Sequence, residues 1–376
     1  MPSTESKMPA VSHYSDGRDN NFNLIRLVAA FAVLFSHSYS VVLGANDPYR
    51  PLLDSTGFSL GAHAVNIFFV VSGLLVMQSW DRNSSPLSFI TARALRIYPA
   101  ILVYALLVVF VLGGVFSNVP LSSYFASAET WTYLFSVGSL IQPDQTLPGL
   151  FQQNPDPSNV NASLWTIRYE LICYLVLLVA GLLGIFKTRK RFTLFMLIGA
   201  SALLCFSQTS IAADPEAPYG SLVRFGLCFG IGLTTYHYRD SIRLHWSLLI
   251  LTGGLTYLLH GTMLGTFTLY LAVAYWVLWL AYIPTGAIRQ FNELGDYSYG
   301  IYIYAYPIQQ VIVGAALGLS PVQVFLFAGM ATLMAAVLSW HLVEQPSLKT
   351  KSSLTHLVSK KMGWRSREDS NLEPAA

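Results

Sequence analysis

The chain has 376 residues, of which 53% are hydrophobic and only 11% are charged, and its mean hydropathy is +0.50. A soluble globular domain carries roughly twice that charged fraction. The composition therefore excludes an ordinary soluble domain and is typical of a chain with many membrane spans. A formal net charge of +3 is too small to indicate a nucleic-acid partner.

Apolar runs separated by short polar segments predict an all-α, polytopic membrane protein with about ten transmembrane helices. The polar start of the chain lacks the features of a signal peptide, so we expect the first run to remain as a span. The seventh and eighth runs are the weakest, because only a Gly-containing stretch divides them. The predicted spans are about 22–43, 61–80, 95–116, 164–186, 191–208, 221–238, 245–261, 264–283, 297–318 and 322–343.

The distribution of Lys and Arg predicts how the chain is oriented in the membrane. With a cytoplasmic N-terminus, nearly all of these residues fall on inner segments. The outer segments then carry only Arg50, with Arg168 and Arg224 near outer helix ends. Both termini are therefore predicted to be cytoplasmic.

We divide the chain into a polar cytoplasmic N-terminal tail (1–20), a membrane domain (21–346) and a basic cytoplasmic C-terminal tail (347–376). That last tail is expected to be disordered or to lie on the anionic inner leaflet. The long Pro-containing loop at about 117–163 is expected to form an ordered outer cap with one interfacial helix. No internal repeat is visible, which disfavours transporter folds built from duplicated halves.

Ionisable side chains inside spans are costly, so each is a functional candidate. Arg26 and His37 in the first span are eleven residues apart. At 100° per residue they fall within roughly 20° of one helix face, and about 16 Å apart along the axis. Arg26 would lie near the inner surface and His37 in the outer half. The pair could serve as an anion-binding Arg and a titratable His. The spacing fits equally well a snorkelling Arg and a hydrogen-bonded interior His, neither of which takes part in a reaction.

Two further pairs share a helix face because their members are three residues apart. His63 and Asn66 open the second span and are either binding groups or ordinary polar groups at a helix end. Arg93 and Arg96 precede the predicted third span and form a cationic face. Such a face suits phosphate groups, although positive-inside anchoring would also explain it.

The fourth span opens with Trp165, which belongs at the outer interface, followed by Glu170. Glu170 is a candidate to orient an imidazole on another helix, or else a structural partner of an Arg. Tyr302 belongs to a Tyr-rich run in the ninth span that could line a sugar or pantetheine path, although packing is the more common role. Glu344, near the inner end of the last span, is expected to pair with Arg93 or Arg96.

Taken together, these segments resemble the acyltransferase-3 family of integral membrane O-acyltransferases over about residues 20–346. Six motifs in order support the resemblance: R-x10-H in the first span, GAHAVNIFFVVSG, FITARALRIYP, NASLWTIRYE, LGDYSYGIYIYAYP and WHLVEQP. The family often has Asp where this chain has Asn66, and His where it has Ala305. The resemblance implies transfer of an acyl group, usually acetyl from cytoplasmic acetyl-CoA, to a hydroxyl of an envelope or exported glycan.

From the resemblance we expect a multi-pass enzyme of a bacterial-type inner membrane that uses acyl-CoA as co-substrate and a glycan or lipid-linked saccharide as acceptor. His37 is predicted to be the general base, and an acetyl-imidazole relay through His37 is left open. Glu170 is predicted to orient His37 or the acceptor. Predicted CoA-phosphate ligands are Arg26, Arg93 and Arg96, and predicted substrate contacts are His63, Asn66, Trp165 and Tyr302.

Other classes of function remain open from the sequence. No P-loop, GxSxG, HExxH or paired CxxC motif is present, so no metal or tightly bound cofactor is predicted. Intramembrane His, Arg and Glu also fit a multi-span transporter or exporter of a small solute. A non-catalytic membrane scaffold or sensor is a third interpretation. Covalent label on a glycan after incubation with radiolabelled acetyl-CoA would separate the enzyme from both.

Overall fold

The structure is a computed structural model that describes residues 9–15, 17, 19–44, 49–141, 146–157, 159–315 and 318–361. Within these ranges it is helical, and the described part of the chain contains no β-strand beyond an isolated bridge. Ten of the described helices have 13 residues or more. They are α1 (Phe22–Leu43), α2 (Leu60–Arg82), α3 (Pro86–Leu106), α4 (Ile167–Leu182), α5 (Arg189–Ser207), α6 (Pro218–His237), α7 (Trp246–Leu258), α8 (Met263–Tyr282), α9 (Ser298–Gly314) and α10 (Pro321–Ser339).

Each predicted apolar run overlaps one of these helices, and the third helix begins nine residues earlier than predicted. The Ser85 hydroxyl accepts from the Ser88 backbone N–H at 3.3 Å, and Pro86 occupies the first turn. Both are helix-start signals that lie outside the apolar run. Arg93 and Arg96 are consequently inside α3 rather than ahead of it. The helix continues through a π-helical segment, Leu107–Leu112, to Phe116.

Seven helical segments among the described residues are long and apolar enough to cross a membrane. Helices α6, α7 and α9 are not among them: α7 is apolar but short, and α9 has only 17 residues. About ten spans, and the cytoplasmic position of both termini, therefore remain predictions. Large apolar side chains are exposed on the bundle surface, as expected for a lipid-facing protein.

Close helix packing at the centre of the bundle depends on two glycines that face each other. A Cβ on Gly73 of α2 would lie 2.2 Å from the Phe229 carbonyl oxygen of α6, and one on Gly232 would lie 2.2 Å from that of Val70. Small residues allow membrane helices to approach this closely. Helix α1 packs against α2, α9 and α10, so its inward face is surrounded by the other central helices.

The loop at 117–163 packs onto the bundle, and its described residues include two short helices, Leu121–Ala126 and Ala128–Ser139. Asn161 donates to the Ile303 carbonyl oxygen of α9 at 2.8 Å, which anchors the end of the loop between helices. At the other end of the chain, helical structure continues beyond α10 to Lys361. The alternative of a disordered tail is therefore wrong up to that residue, whereas its position on the inner leaflet stays a prediction. Residues 362–376 lie outside the described part of the chain.

Candidate active site

Two cavities lie inside the bundle and share part of their walls. The first, which we call the arginine cavity, has a volume of about 420 Å³ and is lined by Arg26, Arg93, Arg96 and Lys351. The second, the histidine cavity, has a volume of about 290 Å³ and is lined by His37. Arg26 and His37 thus both face the interior of the bundle from α1, but they open into different cavities.

Two of the arginines belong to an ion-pair network. Asp296, immediately before α9, accepts from Arg26 and, at 2.6 Å, from Arg96. Arg96 also donates to Glu344 at 3.1 Å, and the Glu344 side chain is only 1% exposed. Burial opposes ionisation of Asp296, but the two guanidinium groups and Ser298 outweigh it and lower the pKa of Asp296 below 3.8. The expected pairing of Glu344 is thus made with Arg96.

Arg93 is differently placed. It forms no ion pair within the described ranges, its Nε atom is buried without a hydrogen-bond partner, and its guanidinium carbon lies 5.6 Å from the Tyr174 ring centroid. Lys351, on the helix Lys351–Lys361, reaches the same cavity and likewise has no carboxylate partner there. Among the described residues, these two cations in this cavity are therefore the ones whose charge is not balanced by direct contact with a carboxylate.

Glu170 also lines the arginine cavity. It accepts hydrogen bonds from the Ser72 hydroxyl at 3.1 Å and from the Tyr174 hydroxyl. Its side chain forms no contact with His37 among the described interactions, because Glu170 lines the arginine cavity and His37 lines the histidine cavity. A direct orienting contact between Glu170 and the imidazole is therefore absent from this structure.

His37 has polar and aromatic neighbours instead. Its Nδ1 lies 3.4 Å from the Ser163 hydroxyl, and its ring packs edge-on against Tyr306 with centroids 5.2 Å apart. The Tyr306 hydroxyl in turn donates to Asp156 of the 117–163 loop. If Nδ1 carries the proton and donates to Ser163, Nε2 is a free acceptor that can serve as a base.

Three residues line both cavities and separate them: Val65, Thr166 and Tyr302. The Thr166 and Tyr302 hydroxyls are 2.5 Å apart, and Tyr302 also donates to the Ser163 carbonyl oxygen at 2.9 Å. We call these three residues the partition. The partition is the part of the wall that the two cavities share.

The remaining predicted substrate contacts divide into two groups. Trp165 lines the histidine cavity. His63 and Asn66 line neither of the two cavities: His63 Nε2 lies 2.7 Å from the Thr56 hydroxyl, and Asn66 is fully buried without a hydrogen-bond partner among the described residues. The structure therefore does not bring this pair together with His37.

The sequence interpretation missed three groups in these cavities. Asp296 stands in the LGDYSYG motif, and Lys351 follows the last predicted span. Arg224 lines the histidine cavity although it was considered only as a marker of orientation. A charged residue within the apolar run of α6 was itself a signal, because such residues are costly unless they have a partner or a function.

Comparison with known proteins places this geometry in a family context. A family model described as an acyltransferase domain matches residues 19–341. An O-acetyl transferase of Shigella phage Sf6 is 30% identical over an alignment of 346 positions that covers 89% of this chain and 98% of the relative. Nodulation protein 10 of Rhizobium leguminosarum bv. viciae is 30% identical over an alignment of 384 positions that covers 91% of this chain and 97% of that protein. No solved structure matches the chain significantly.

Proposed function

The chain belongs to the acyltransferase-3 family of membrane O-acyltransferases, and from that premise we propose that it transfers acetyl from acetyl-CoA to a hydroxyl of an envelope or exported glycan. The observation that carries the proposal is the pair of adjoining cavities, one rich in arginine and the other lined by His37. The arginine cavity suits an acyl donor such as acetyl-CoA, whose phosphates are anionic and whose pantetheine arm is long. The acceptor hydroxyl needs a base to remove its proton, and the histidine cavity supplies His37.

The arginine cavity is the proposed site for the CoA phosphates. Arg93 and Lys351 supply positive charge that no described carboxylate neutralises by contact. Arg26 and Arg96 line the same cavity, where their charges are paired with Asp296 and Glu344. Guanidinium groups bind phosphate with charge-assisted hydrogen bonds, roughly twice as strong as neutral ones. The pantetheine arm then extends past Tyr302 and delivers the thioester to the histidine cavity.

In the histidine cavity the proposed step is direct transfer. His37 Nε2 removes the proton from the acceptor hydroxyl as its oxygen attacks the thioester carbonyl, and the C–S bond breaks. The imidazolium then returns the proton to the departing CoA sulfur, so that the products are an O-acetyl ester and free CoA. Ser163 is positioned to hold the other ring nitrogen. In an acetyl-imidazole route the same ring would carry the acetyl group between donor and acceptor.

The test uses the full-length protein in lipid nanodiscs, radiolabelled acetyl-CoA, and surface glycan extracted from a host that lacks the gene. Wild type should place alkali-labile label covalently on the glycan. His37→Ala should lower this transfer by about 10²–10⁴-fold, the usual contribution of acid–base catalysis. His260→Ala is the matched control, since His260 is exposed at the turn between α7 and α8.

Three outcomes are distinguished by this test. Transfer that disappears with His37→Ala and persists with His260→Ala supports the proposal. Label that never becomes covalent on the glycan contradicts it and leaves the transporter and scaffold interpretations. Near-normal acetylation by a folded His37→Ala protein removes His37 from the mechanism even if transfer itself is observed.

A further inference from the structure

The histidine cavity contains a buried cation that the proposed reaction does not use. Arg224 on α6 is only 3% exposed, and its guanidinium carbon lies 4.6 Å from the Phe225 ring centroid and 5.4 Å from that of Phe58. Its Nε and Nη1 atoms are buried and have no hydrogen-bond partner within the described ranges. The side chain nevertheless lines the cavity that contains His37.

The carboxylates that line this cavity are engaged elsewhere. Glu216 accepts from Arg50 at 3.4 Å, and Asp156 accepts from the Tyr306 hydroxyl. Neither lies within ion-pair distance of Arg224 in the described part of the chain. The two aromatic rings offset part of the cost of burying the charge, but they leave its hydrogen-bonding capacity unused.

A guanidinium removed from water and left without an anion is costly, and inside membrane proteins such residues mark binding or transport sites. Here the Arg224 side chain lines a cavity large enough for a ligand and shares it with the proposed base, while its Nε and Nη1 donors have no partner among the described residues. Both observations point to a ligand that brings its own negative charge. The guanidinium matches two such groups, the carboxylate and the phosphate, because each offers two oxygens to its planar fork.

We propose that Arg224 binds an oxyanion of the acceptor, a carboxylate or a phosphate, and thereby holds the acceptor hydroxyl next to His37. This inference rests on the proposed function for the statement that the ligand is the acceptor. The inference restricts the chemical class of the acceptor to acidic saccharides and to saccharides linked through a phosphate group. A neutral sugar would leave the guanidinium unpaired.

Binding is measured on the full-length protein in nanodiscs without acetyl-CoA, using glucuronate, glucose 1-phosphate and glucose as probes. At least one of the two anions should bind more tightly than glucose. Arg224→Met should weaken that binding by about ten- to a hundredfold, the value of a hydrogen-bonded charge pair. Arg224→Lys should retain part of it. Arg168→Met is the matched control, because Arg168 contacts Tyr169 and lines neither cavity.

The carboxylate and phosphate probes identify which oxyanion the cavity prefers. Glucose binding as tightly as both anions, or no binding of either anion, overturns the inference without any variant. Unchanged anion binding by a folded Arg224→Met protein overturns it as well. Loss of binding in Arg168→Met to the same degree would assign the effect to general electrostatics and also overturn it.

A transfer assay separates this inference from the proposed function. Acetyl transfer is measured to a uronic-acid oligosaccharide and to its carboxyl-reduced counterpart. If wild type and Arg224→Met acetylate both equally, acetyl transfer stands and the oxyanion site is refuted. If the anions bind through Arg224 but no label reaches any glycan, the oxyanion site stands and the proposed transferase activity is refuted.

Discussion

Replacement of Arg93 by Gln should impair the use of acetyl-CoA while leaving the fold intact. Arg93 faces the arginine cavity without a carboxylate partner among the described residues. Its removal therefore strands no buried anion. A hydrogen bond to a charged group contributes about 1.5–3 kcal/mol. Loss of one such bond to a CoA phosphate should raise the KM for acetyl-CoA by about 10- to 150-fold.

The matched substitution is Arg96→Gln, one helical turn further along α3. Arg96 donates to Glu344, which is 1% exposed, and to Asp296. Without Arg96, Glu344 is left buried without a cation, whereas Asp296 still has Arg26. Removing one partner of a buried pair typically costs about 3–5 kcal/mol. This variant should therefore lose stability first, in contrast to Arg93→Gln.

Both variants are measured by two assays in the same nanodiscs: thermal unfolding, and the KM for radiolabelled acetyl-CoA with glycan at saturation. The expected pattern is a raised KM at near-normal unfolding temperature for Arg93→Gln, and a clearly lowered unfolding temperature for Arg96→Gln. An unchanged KM in Arg93→Gln would refute its assignment as a phosphate ligand. Equal destabilisation by both substitutions would refute the distinction between paired and unpaired arginines.

Three further substitutions test other parts of the structure. Gly73→Val should lower the free energy of unfolding by about 1–3 kcal/mol, because the new side chain would overlap the Phe229 carbonyl oxygen. Gly199→Ala is the control, because a Cβ at that position meets nothing within 4 Å, and it should not lower the free energy of unfolding. Tyr302→Phe should increase acceptor-independent hydrolysis of acetyl-CoA, measured as released acetate, because the partition loses its hydrogen bonds. Glu170→Gln should lower the KM for acetyl-CoA with little change in kcat, because it removes a negative charge from the cavity proposed to bind the CoA phosphates. A large fall in kcat would instead favour a catalytic role for Glu170.

The helical content could be predicted from the sequence because it depends on local information. Apolar runs of sufficient length fold as helices in a membrane, where each backbone polar group has to be satisfied internally. The boundaries were less accurate where helices begin with polar residues. The start of α3 at Pro86 depends on Ser85 and Pro86, and its first turns were assigned to a loop because they are not apolar. The extension to Lys361 was missed for the same reason.

The shared helix face of Arg26 and His37 follows from their spacing and was also predictable. Their partners were not. Asp296 is 270 residues from Arg26 along the chain, and Ser163 is 126 residues from His37. Glu170 was expected near an imidazole, but the packing of α4 against α2 places it beside Ser72. No spacing rule within one helix can show which side chains meet across two.

The sequence by itself thus determined an all-α membrane architecture, the family motifs and the face of α1 on which the candidate residues lie. Only the tertiary structure decided that Arg26, Arg93 and Arg96 line a different cavity from His37. Among the described residues it also decided that Arg96 is paired with carboxylates while Arg93 is not, and that Arg224 is buried without an anion. The physical reason is the range of the interactions. Helix formation and helix faces depend on neighbouring residues, whereas the pairing of buried charges depends on which helices pack together.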